Sequence, residues 1–408
     1  MVQQDYRPMT VDEIEAGAEK RNLRLVGYHD LAGCGDGFRI DKKGDYLFVA
    51  HLNRKAFSVL NVADPRHPEL VHDEPLPPST HSHKVQIAGD LLIINNEQIA
   101  PGPFEPGIRL FDIKDPAHPR EVGFFRTGGK GVHRLWFADG QYAYLPTEMD
   151  GYTWRIMQIV DVSDPTRPHE VGRWWVPGTW AAGGETPTWP AGDEVGVHGP
   201  VVDGDRAYVG CWDGGWAIVD VSDKSRPRTV SMLNWHPPYG GQTHTALPLR
   251  RRNLVVVVDE STADYCREGQ KLIWMVDARD ETRPVPIATF PVPEGDFAQR
   301  GGHFGPHNVH ENRPGAYQDD TLIYATYWNA GLRVYDTSNP YRPTEVACYV
   351  PPTPPRQPGG EDKPTVQMND LYVDADGLIY CTDRFNGGLY VLEYTGPRPP
   401  ASDPLPRQ

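Results

Sequence analysis

Short stretches of alternating apolar and polar residues, separated by turns rich in Asp, Gly and Pro, extend over most of the chain. This alternation has the two-residue period of a β-strand, whose successive side chains point to opposite faces. One phrase recurs: an apolar strand, then an acidic residue or Asn, then a proline-containing turn. Its seven copies begin at Phe57, Ile108, Met157, Trp216, Ile273, Leu332 and Leu389. The starts lie 49 to 59 residues apart, and this regular spacing predicts a repeat architecture.

Each copy is one strand of a larger unit. Two β-rich segments joined by an Asp/Gly turn precede it, as in residues 131–148. A fourth β-rich segment follows the proline turn, for example residues 121–125. Four antiparallel strands per repeat are the composition of a propeller blade. The sequence therefore predicts an all-β protein, a seven-bladed β-propeller with four-stranded blades.

The two ends of the chain predict how the ring closes. The last copy has three strands, whereas the segment that starts at Leu23 has the pattern of a fourth strand without partners. Pairing the two would remove the exposed sheet edges of an open ring. We therefore expect an N-terminal extension over 1–22, one propeller over 23–395 and a Pro-rich C-terminal tail over 396–408. The alternative is an unclosed arc of blades.

Two copies carry a resemblance to a known family. The phrases IVDVSDP at Ile159 and AIVDVSD at Ala217 resemble the LVIVD repeat of bacterial β-propeller proteins. The resemblance spans nearly the whole chain, from about Leu23 to Tyr394, and implies the propeller fold. It implies no catalytic residues, because propellers host many unrelated activities.

Charge and composition narrow the expected partners. The 408 residues carry a formal net charge of −15 at pH 7, which would repel nucleic acids and anionic membrane surfaces. The N-terminus is acidic and no apolar run approaches a membrane span, so we expect a cytoplasmic protein. Five cysteines without a CxxC pair favour reduced thiols. Nothing in the composition indicates an oligomeric state.

Histidine recurs at the start of the first strand of successive repeats. The five positions are His83, His133, His198, His244 and His307. Asn369-Asp370 and Asp36-Gly37 occupy the corresponding places in the other two repeats, which predicts an entirely polar ring. Because the first strand of a blade lines the central channel, equivalent positions lie on one circle and the five imidazoles should converge. The alternative is a set of independent hydrogen-bonded histidines that fill the channel.

Acidic residues recur at the end of the second strand, which returns to the same face of the propeller. They are Glu97, Glu148, Glu260 and Asp383. Metal-bound imidazoles are commonly held by a carboxylate, so the three glutamates are candidates for that role. The alternative is that they cap turns. His81 lies two residues before His83, on the same side of the strand, and is a candidate acid/base or reserve ligand.

These residues suggest metal chemistry. Neutral imidazoles with open coordination positions suit Fe, Mn, Cu or Zn, and we expect His133, His198, His244 and His307 to be ligands with His83 as a fifth. The pattern is similar to that of carotenoid-cleaving oxygenases, propellers whose iron is bound by four histidines, although the sequence shows none of that family's motifs. No GxSxG elbow, P-loop or dinucleotide-binding motif occurs in the required context.

We expect a metal-dependent enzyme that acts on a small organic substrate in the axial channel. The leading hypothesis for its reaction type is an oxygenase-type oxidoreductase. His81, Glu97, Glu148 and Glu260 are its candidate catalytic residues. A metal-dependent hydrolase or lyase is one alternative. A non-catalytic scaffold that binds a protein or peptide is another.

Overall fold

The computed structural model describes residues 6–355 and 365–399, which are mainly antiparallel strands. Residues 1–5 of the predicted extension and 400–408 of the predicted tail lie outside the described residues. The α-helix α1 (Val11–Gly17) begins at Thr10, whose hydroxyl accepts the Glu13 N–H while the Glu13 carboxylate accepts the Thr10 N–H. Within these ranges, no helix has the length and apolar character needed to cross a membrane.

The strands follow in chain order. Two short strands, β1 (Glu19–Arg21) and β2 (Leu23–His29), come first. The first sheet is β3 (Gly37–Lys43), β4 (Tyr46–His51), β5 (Phe57–Asn61) and β6 (Glu69–Glu74). The second is β7 (Thr80–His81), β8 (Val85–Ala88), β9 (Leu91–Gln98), β10 (Gly107–Asp112) and β11 (Arg120–Arg126). The third is β12 (Trp136–Phe137), β13 (Tyr142–Thr147), β14 (Ile156–Asp161) and β15 (His169–Trp174).

An eight-stranded sheet follows. Its strands are β16 (Val195–Asp203), β17 (Arg206–Trp212), β18 (Trp216–Asp220), β19 (Arg228–Leu233), β20 (Thr243–Leu249), β21 (Leu254–Asp259), β22 (Ile273–Asp277) and β23 (Val285–Thr289). It consists of two meanders, β16–β19 and β20–β23, which join where Trp212 lies opposite Thr243.

The last two sheets take in the N-terminal strands. The first of them joins β1 to β24 (Leu322–Thr326), β25 (Leu332–Asp336) and β26 (Thr344–Val350). The second joins β2 to β27 (Met368–Val373), β28 (Leu378–Asp383) and β29 (Gly388–Tyr394). The chain is therefore all-β and built from repeated four-stranded antiparallel meanders, as the sequence predicts.

Buried apolar side chains fill the spaces between consecutive meanders. Phe48 and Phe57 of the first sheet pack with Ile94 of the second, and comparable clusters continue along the chain. The last cluster joins Ile40 of β3 to Val391 of β29. Since each meander buries both faces against neighbours, the hydrophobic stabilisation is spread around the whole arrangement and returns from its end to its beginning.

The N-terminal segment completes two sheets. The predicted pairing of β2 with β29 is confirmed, with Leu23 opposite Tyr394 at one end. In addition, β1 pairs with β26, which the sequence did not indicate. Ile14 of α1 is buried in the apolar cluster beneath these two sheets. Residues 11–29 therefore cover the outer strands of two meanders instead of leaving their edges exposed.

Deletion of residues 1–30 tests this closure. The deletion exposes the edges of β26 and β29 and removes the buried side chains of Ile14, Leu23 and Leu25. At about 1.5–3 kcal/mol for each of these side chains, the melting temperature should fall by about 10 °C or more. Deletion of residues 1–9, which keeps the Thr10 cap and both strands, is the matched control. Equal melting temperatures for the two truncated proteins would contradict the closing role of β1 and β2.

Candidate functional site

An irregularity in the first strand of the meanders aims one side chain out of the strand. In β20, His244 is the extra residue between Thr243 and Thr245, which pair with consecutive residues of β21. Asn369 occupies the same place in β27. Register shifts also occur in β3 and β16. Such bulges redirect a side chain that would otherwise alternate with its neighbours, and they are common next to active sites.

The five predicted histidines lie side by side. The ring centroids of His83 and His133 are 5.0 Å apart, and the next three neighbouring pairs in chain order are separated by 4.8, 4.4 and 4.7 Å. These side chains come from different meanders and are buried, apart from His133, which is one quarter exposed. The structure thus brings all five into one row, here called the histidine ring.

The two places without histidine differ from each other. Asn369 is present at one of them, as expected. At the other, Phe38 replaces the expected Asp36-Gly37, with its centroid 5.0 Å from His83 and 6.2 Å from His307. The prediction of an entirely polar ring is therefore wrong at this place. The shift in register after Gly37 brings Phe38 to the ring, whereas Asp36 accepts hydrogen bonds from the loop at residues 53–54.

Hydrogen bonds at Nδ1 divide the histidines into two classes. In the first class, Nδ1–H donates to an oxygen: His133 donates to Glu97 (2.8 Å), His198 to the His244 carbonyl (3.4 Å) and His307 to the Asn369 carbonyl (2.6 Å). A neutral imidazole has one N–H, so Nε2 of these three rings carries a lone pair. A carboxylate or backbone carbonyl on the other nitrogen is the usual support of a metal-binding histidine.

His83 and His244 form the second class. The Asn95 amide donates to Nδ1 of His83 at 3.2 Å, and the Arg134 guanidinium donates to Nδ1 of His244 at 2.9 Å. Because Nδ1 accepts in both rings, the proton of the neutral imidazole lies on Nε2. In this arrangement each of the two rings offers a hydrogen-bond donor at Nε2.

The glutamates occupy three different environments. Glu97 lies on the Nδ1 side of His133, as expected of an orienting carboxylate, and also accepts from Arg155 at 3.1 Å. Glu260 instead faces Nε2 atoms: its oxygens lie 3.5 Å from Nε2 of His307 and 3.8 Å from Nε2 of His244. It is therefore on the side of the rings where a ligand would bind, which differs from the orienting role expected of it.

Glu148 has another position. Its carboxylate accepts the Lys130 backbone N–H at 3.2 Å in an exposed turn, and within residues 6–355 and 365–399 no hydrogen bond or ion pair joins it to a ring histidine. This is the turn-capping arrangement. The fourth acidic residue of the pattern, Asp383, likewise accepts backbone N–H groups, including those of Gln367 and Phe385.

Distance alone suggests two candidate cation sites. In the described part of the chain, His81, His83 and Glu97 form one group whose ligand atoms all lie within 4.8 Å of one another, and His198, His244 and Glu260 form the other. Hydrogen bonding refines this picture. The Glu97 carboxylate is already engaged by His133 and Arg155, and Nδ1 of His244 accepts from Arg134. The rings whose Nε2 lone pair is available are therefore the better candidate ligands.

Burial keeps the histidines neutral. It holds the pKa of each of the five ring histidines well below the usual 6.5, and the charge of Lys84 acts in the same direction on every one. Burial also lowers the pKa of His81 to about 3. For Glu260, burial raises the pKa to about 7 although Arg384 and Lys84 oppose the rise. The rings are thus in the protonation state that metal binding requires.

A second layer of polar residues lies beside the ring, and the sequence did not identify it. Glu311 pairs with Arg39 and with Arg134 (3.0 Å), while Asp370 lies 3.4 Å from Arg39. Lys84 belongs to this layer, and burial lowers its pKa to about 7. The signal was nevertheless present, because Arg39, Lys84, Arg134 and Asp370 each directly follow a ring residue in the sequence.

One glycine makes room for this layer. Gly199 follows His198, and a Cβ atom at this position would lie 2.7 Å from Cδ of Arg134 and 3.0 Å from the His244 carbonyl oxygen. Both contacts are too close. A side chain at position 199 would therefore displace Arg134, which links this polar layer to His244.

Two tryptophans form walls around the ring. Trp212 stacks on His198 with centroids 4.6 Å apart, and Trp328 stacks on His307 at 4.3 Å. Both occupy the left-handed backbone region at the end of the second strand of their meanders. They stand where other meanders have Glu97 or Glu260, so apolar walls and carboxylates share the same register position.

A Ser-His-Asp constellation elsewhere has the spacing of a catalytic triad but not its accessibility. His51 contacts Asp36 through Nδ1 at 2.8 Å and Ser58 through Nε2 at 2.7 Å. The Ser58 hydroxyl donates to Asp73 at 2.6 Å and is fully buried. A nucleophile must reach substrate, so this chain of hydrogen bonds links strands of the first sheet and is not a hydrolase site.

Comparison with known proteins supports the repeat. The model of the LVIVD repeat matches residues 138–175 and 200–234, which include the phrases at Ile159 and Ala217. No curated protein matches the chain in sequence.

Solved structures share the fold at low identity. A hypothetical selenium-binding protein from Sulfolobus tokodaii has a TM-score of 0.56 at 15% sequence identity. The superposition covers 87% of this chain and 92% of that protein's chain. A chain of the mitotic checkpoint complex also has a TM-score of 0.56, at 11% identity, with 97% of this chain and 99% of that chain covered. A functionally unknown protein from Desulfotomaculum acetoxidans reaches 0.52 at 11% identity, with 77% and 85% covered. At these identities the likeness concerns the fold alone, and together with the matched repeats it identifies the chain as an all-β protein that carries LVIVD repeats.

Proposed function

We propose that the meanders form a closed seven-bladed β-propeller and that the protein is a metal-dependent enzyme acting on a small organic substrate in its axial channel. The apolar clusters between consecutive meanders, and the cluster that joins the last to the first, support the closed ring. The convergence of the imidazoles supports an internal site. A scaffold protein would instead concentrate exposed aromatic residues on one rim.

The contact between His307 and Glu260 carries the metal proposal. Nδ1–H of His307 is used by the Asn369 carbonyl, so the lone pair of Nε2 faces the Glu260 oxygen 3.5 Å away. Two acceptors at this distance need a cation or a proton between them. A divalent transition metal satisfies both, since imidazole nitrogen and carboxylate oxygen are its ordinary ligands.

We assign the ligands by their lone pairs: Glu260 and the Nε2 atoms of His133, His198 and His307. Glu97 holds His133 in the binding orientation. His83 and His244 present N–H groups to the same space and would donate hydrogen bonds to a bound oxygen atom. The ring centroid of His81 lies 3.9 Å from that of His83, so His81 adjoins the histidine ring and remains a candidate acid/base. Of the four predicted catalytic residues, Glu148 has no role in this proposal.

Among metal-dependent reactions, an oxygenase-type oxidoreductase fits best. Histidine and carboxylate ligands with open positions are typical of non-haem Fe(II) oxygenases, and such an ion supplies O₂ or substrate activation when bound. Iron is thus the first choice, with Mn, Cu and Zn as the others. Hydrolase or lyase chemistry would use the same ligands. We also propose the cytoplasm as the compartment, which suits the five free cysteines.

Metal analysis of protein purified without a histidine tag tests the centre. We expect about one equivalent of a divalent transition metal per chain, and His198→Ala or His307→Ala should lower the content at least about tenfold by removing a ligand. His169→Ala, which alters an exposed histidine of β15, is the matched control. A metal-free protein that cannot be reconstituted with any of the four metals would overturn the proposal.

His244→Ala separates the two ways of choosing ligands. Selection by distance includes His244, whereas selection by the Nε2 lone pair excludes it. We expect this variant to retain most of its metal, measured by the same elemental analysis on folded protein. Loss of metal equal to that of His198→Ala would show that His244 is a ligand.

Glu97→Gln and Glu148→Gln form a matched pair. The first variant weakens the hold on His133, so its metal affinity should fall about 10- to 100-fold while the fold is kept. The second changes only a turn and should keep wild-type affinity with a melting temperature lowered by a few degrees at most. Competition with a chromophoric chelator measures affinity, and a thermal scan measures stability. Equal affinities in both variants would remove the orienting role of Glu97.

A further inference from the structure

We propose that Lys84 binds the singly charged anionic group of a substrate, a carboxylate, at the histidine ring. The inference deepens the proposed function and rests on it for the statement that substrate enters the channel. The binding of an anion by Lys84 can nevertheless be measured both with and without a metal ion.

Lys84 is a buried cation without a matching anion. It directly follows His83 in the sequence and is only 4% exposed. In the part of the chain that the structure describes, its Nζ has neither a hydrogen-bond acceptor nor a carboxylate within ion-pair distance. A buried charge without a partner is strongly unfavourable, so this ammonium favours an anion supplied from outside the chain.

The ammonium group of Lys84 lies at the histidine ring. Its Nζ is 4.4 Å from the centroid of Phe38, and that centroid is 5.0 Å from His83. The positive charge also lowers the pKa of all five ring histidines, although these come from different meanders. A charge that acts on every member of the row lies near the channel and not behind one meander. Phe38 covers one side of the ammonium, which has three N–H donors in all.

The carboxylates around the ring have other partners. They pair with arginines: Glu97 with Arg155, Glu311 with Arg39 and Arg134, and Asp370 with Arg39. Glu260 lies beside the Nε2 atoms of two ring histidines and is a ligand in the proposed metal centre. When a cation is bound there, it offsets the charge of Glu260, and Lys84 is left without a counter-charge.

A single unmatched ammonium selects a monoanion. Lysine presents a compact point charge, which does not require the forked geometry that arginine needs. A carboxylate balances that charge, whereas a dianion such as sulfate would bring a second negative charge toward Glu260. A neutral amide has the shape of a carboxylate but lacks its charge. Acetate, acetamide and sulfate are therefore the probes that identify the class of ligand.

Saturation-transfer NMR at constant ionic strength tests the proposal on the protein as purified and again after treatment with a chelator. A buffer of about pH 6, below the Lys84 pKa of about 7, keeps both the ammonium and acetate ionised. Acetate should bind, and acetamide should bind at least about tenfold more weakly. Sulfate at equal concentration should not displace acetate. Lys84→Met should raise the Kd of acetate at least about tenfold in both preparations.

Lys224→Met is the matched control. The Nζ of Lys224 also lies over an aromatic ring, 5.5 Å from the Tyr142 centroid, but in the turn between β18 and β19, where the Val221 carbonyl accepts its hydrogen bond. This variant should bind acetate as the wild type does. Thermal scans show which variants are folded, and Lys84→Gln serves if Lys84→Met is not.

Three results would overturn the proposal: equal affinity for acetate and acetamide, displacement of acetate by equimolar sulfate, or unchanged acetate affinity in folded Lys84→Met. Acetate that binds only the metal-containing protein, and equally well in Lys84→Met, would be a ligand of the metal and would also overturn it. Absence of metal would contradict the proposed enzyme and leave the comparison of wild type with Lys84→Met unaffected.

Discussion

The buried ion pairs of Glu311 with Arg39 and Arg134 connect three meanders next to the histidine ring. The three side chains come from different meanders and are almost inaccessible to solvent. Charges buried to this extent are tolerated only when they are paired, and removing one partner of such a pair costs about 3–5 kcal/mol. Arg134 also donates to Nδ1 of His244, so this buried ion cluster determines which nitrogen of His244 carries the proton.

Three of the five imidazoles, those of His133, His198 and His307, are oriented by a neighbouring meander. His198 donates to the carbonyl of His244, and His307 donates to the carbonyl of Asn369, so the residue that comes next in the ring supplies the acceptor. His133 uses Glu97 of the preceding meander instead. The bulges at His244 and Asn369 also turn a backbone carbonyl toward the preceding histidine. The orientation of the imidazoles of His198 and His307 therefore depends on these irregular strands.

Repetition made the fold and the row of histidines predictable. The seven phrases and the partnerless segment at Leu23 were enough for the meanders and for the pairing of β2 with β29. The pairing of β1 with β26 was not predictable, because Glu19–Arg21 is fully charged and has no strand pattern. The place of Phe38 depends on a bulge, and bulge positions are not visible in a period of two residues. Glu97, Glu148 and Glu260 share one position in the repeat, yet local turns send them to different surroundings.

The electrostatics of the ring combine two opposing requirements. Burial lowers the pKa values of the histidines and keeps them neutral, as metal binding needs, and the charges of Lys84, Arg134 and Arg155 add to this effect, but the same positive charges repel a dication. Glu97 is compensated by Arg155, so its charge offers the ion little. Glu260 faces the Nε2 atoms directly and is the carboxylate best placed to offset the repulsion. Since burial raises its pKa to about 7, a bound cation would favour its ionised form, and ionisation would in turn favour the cation.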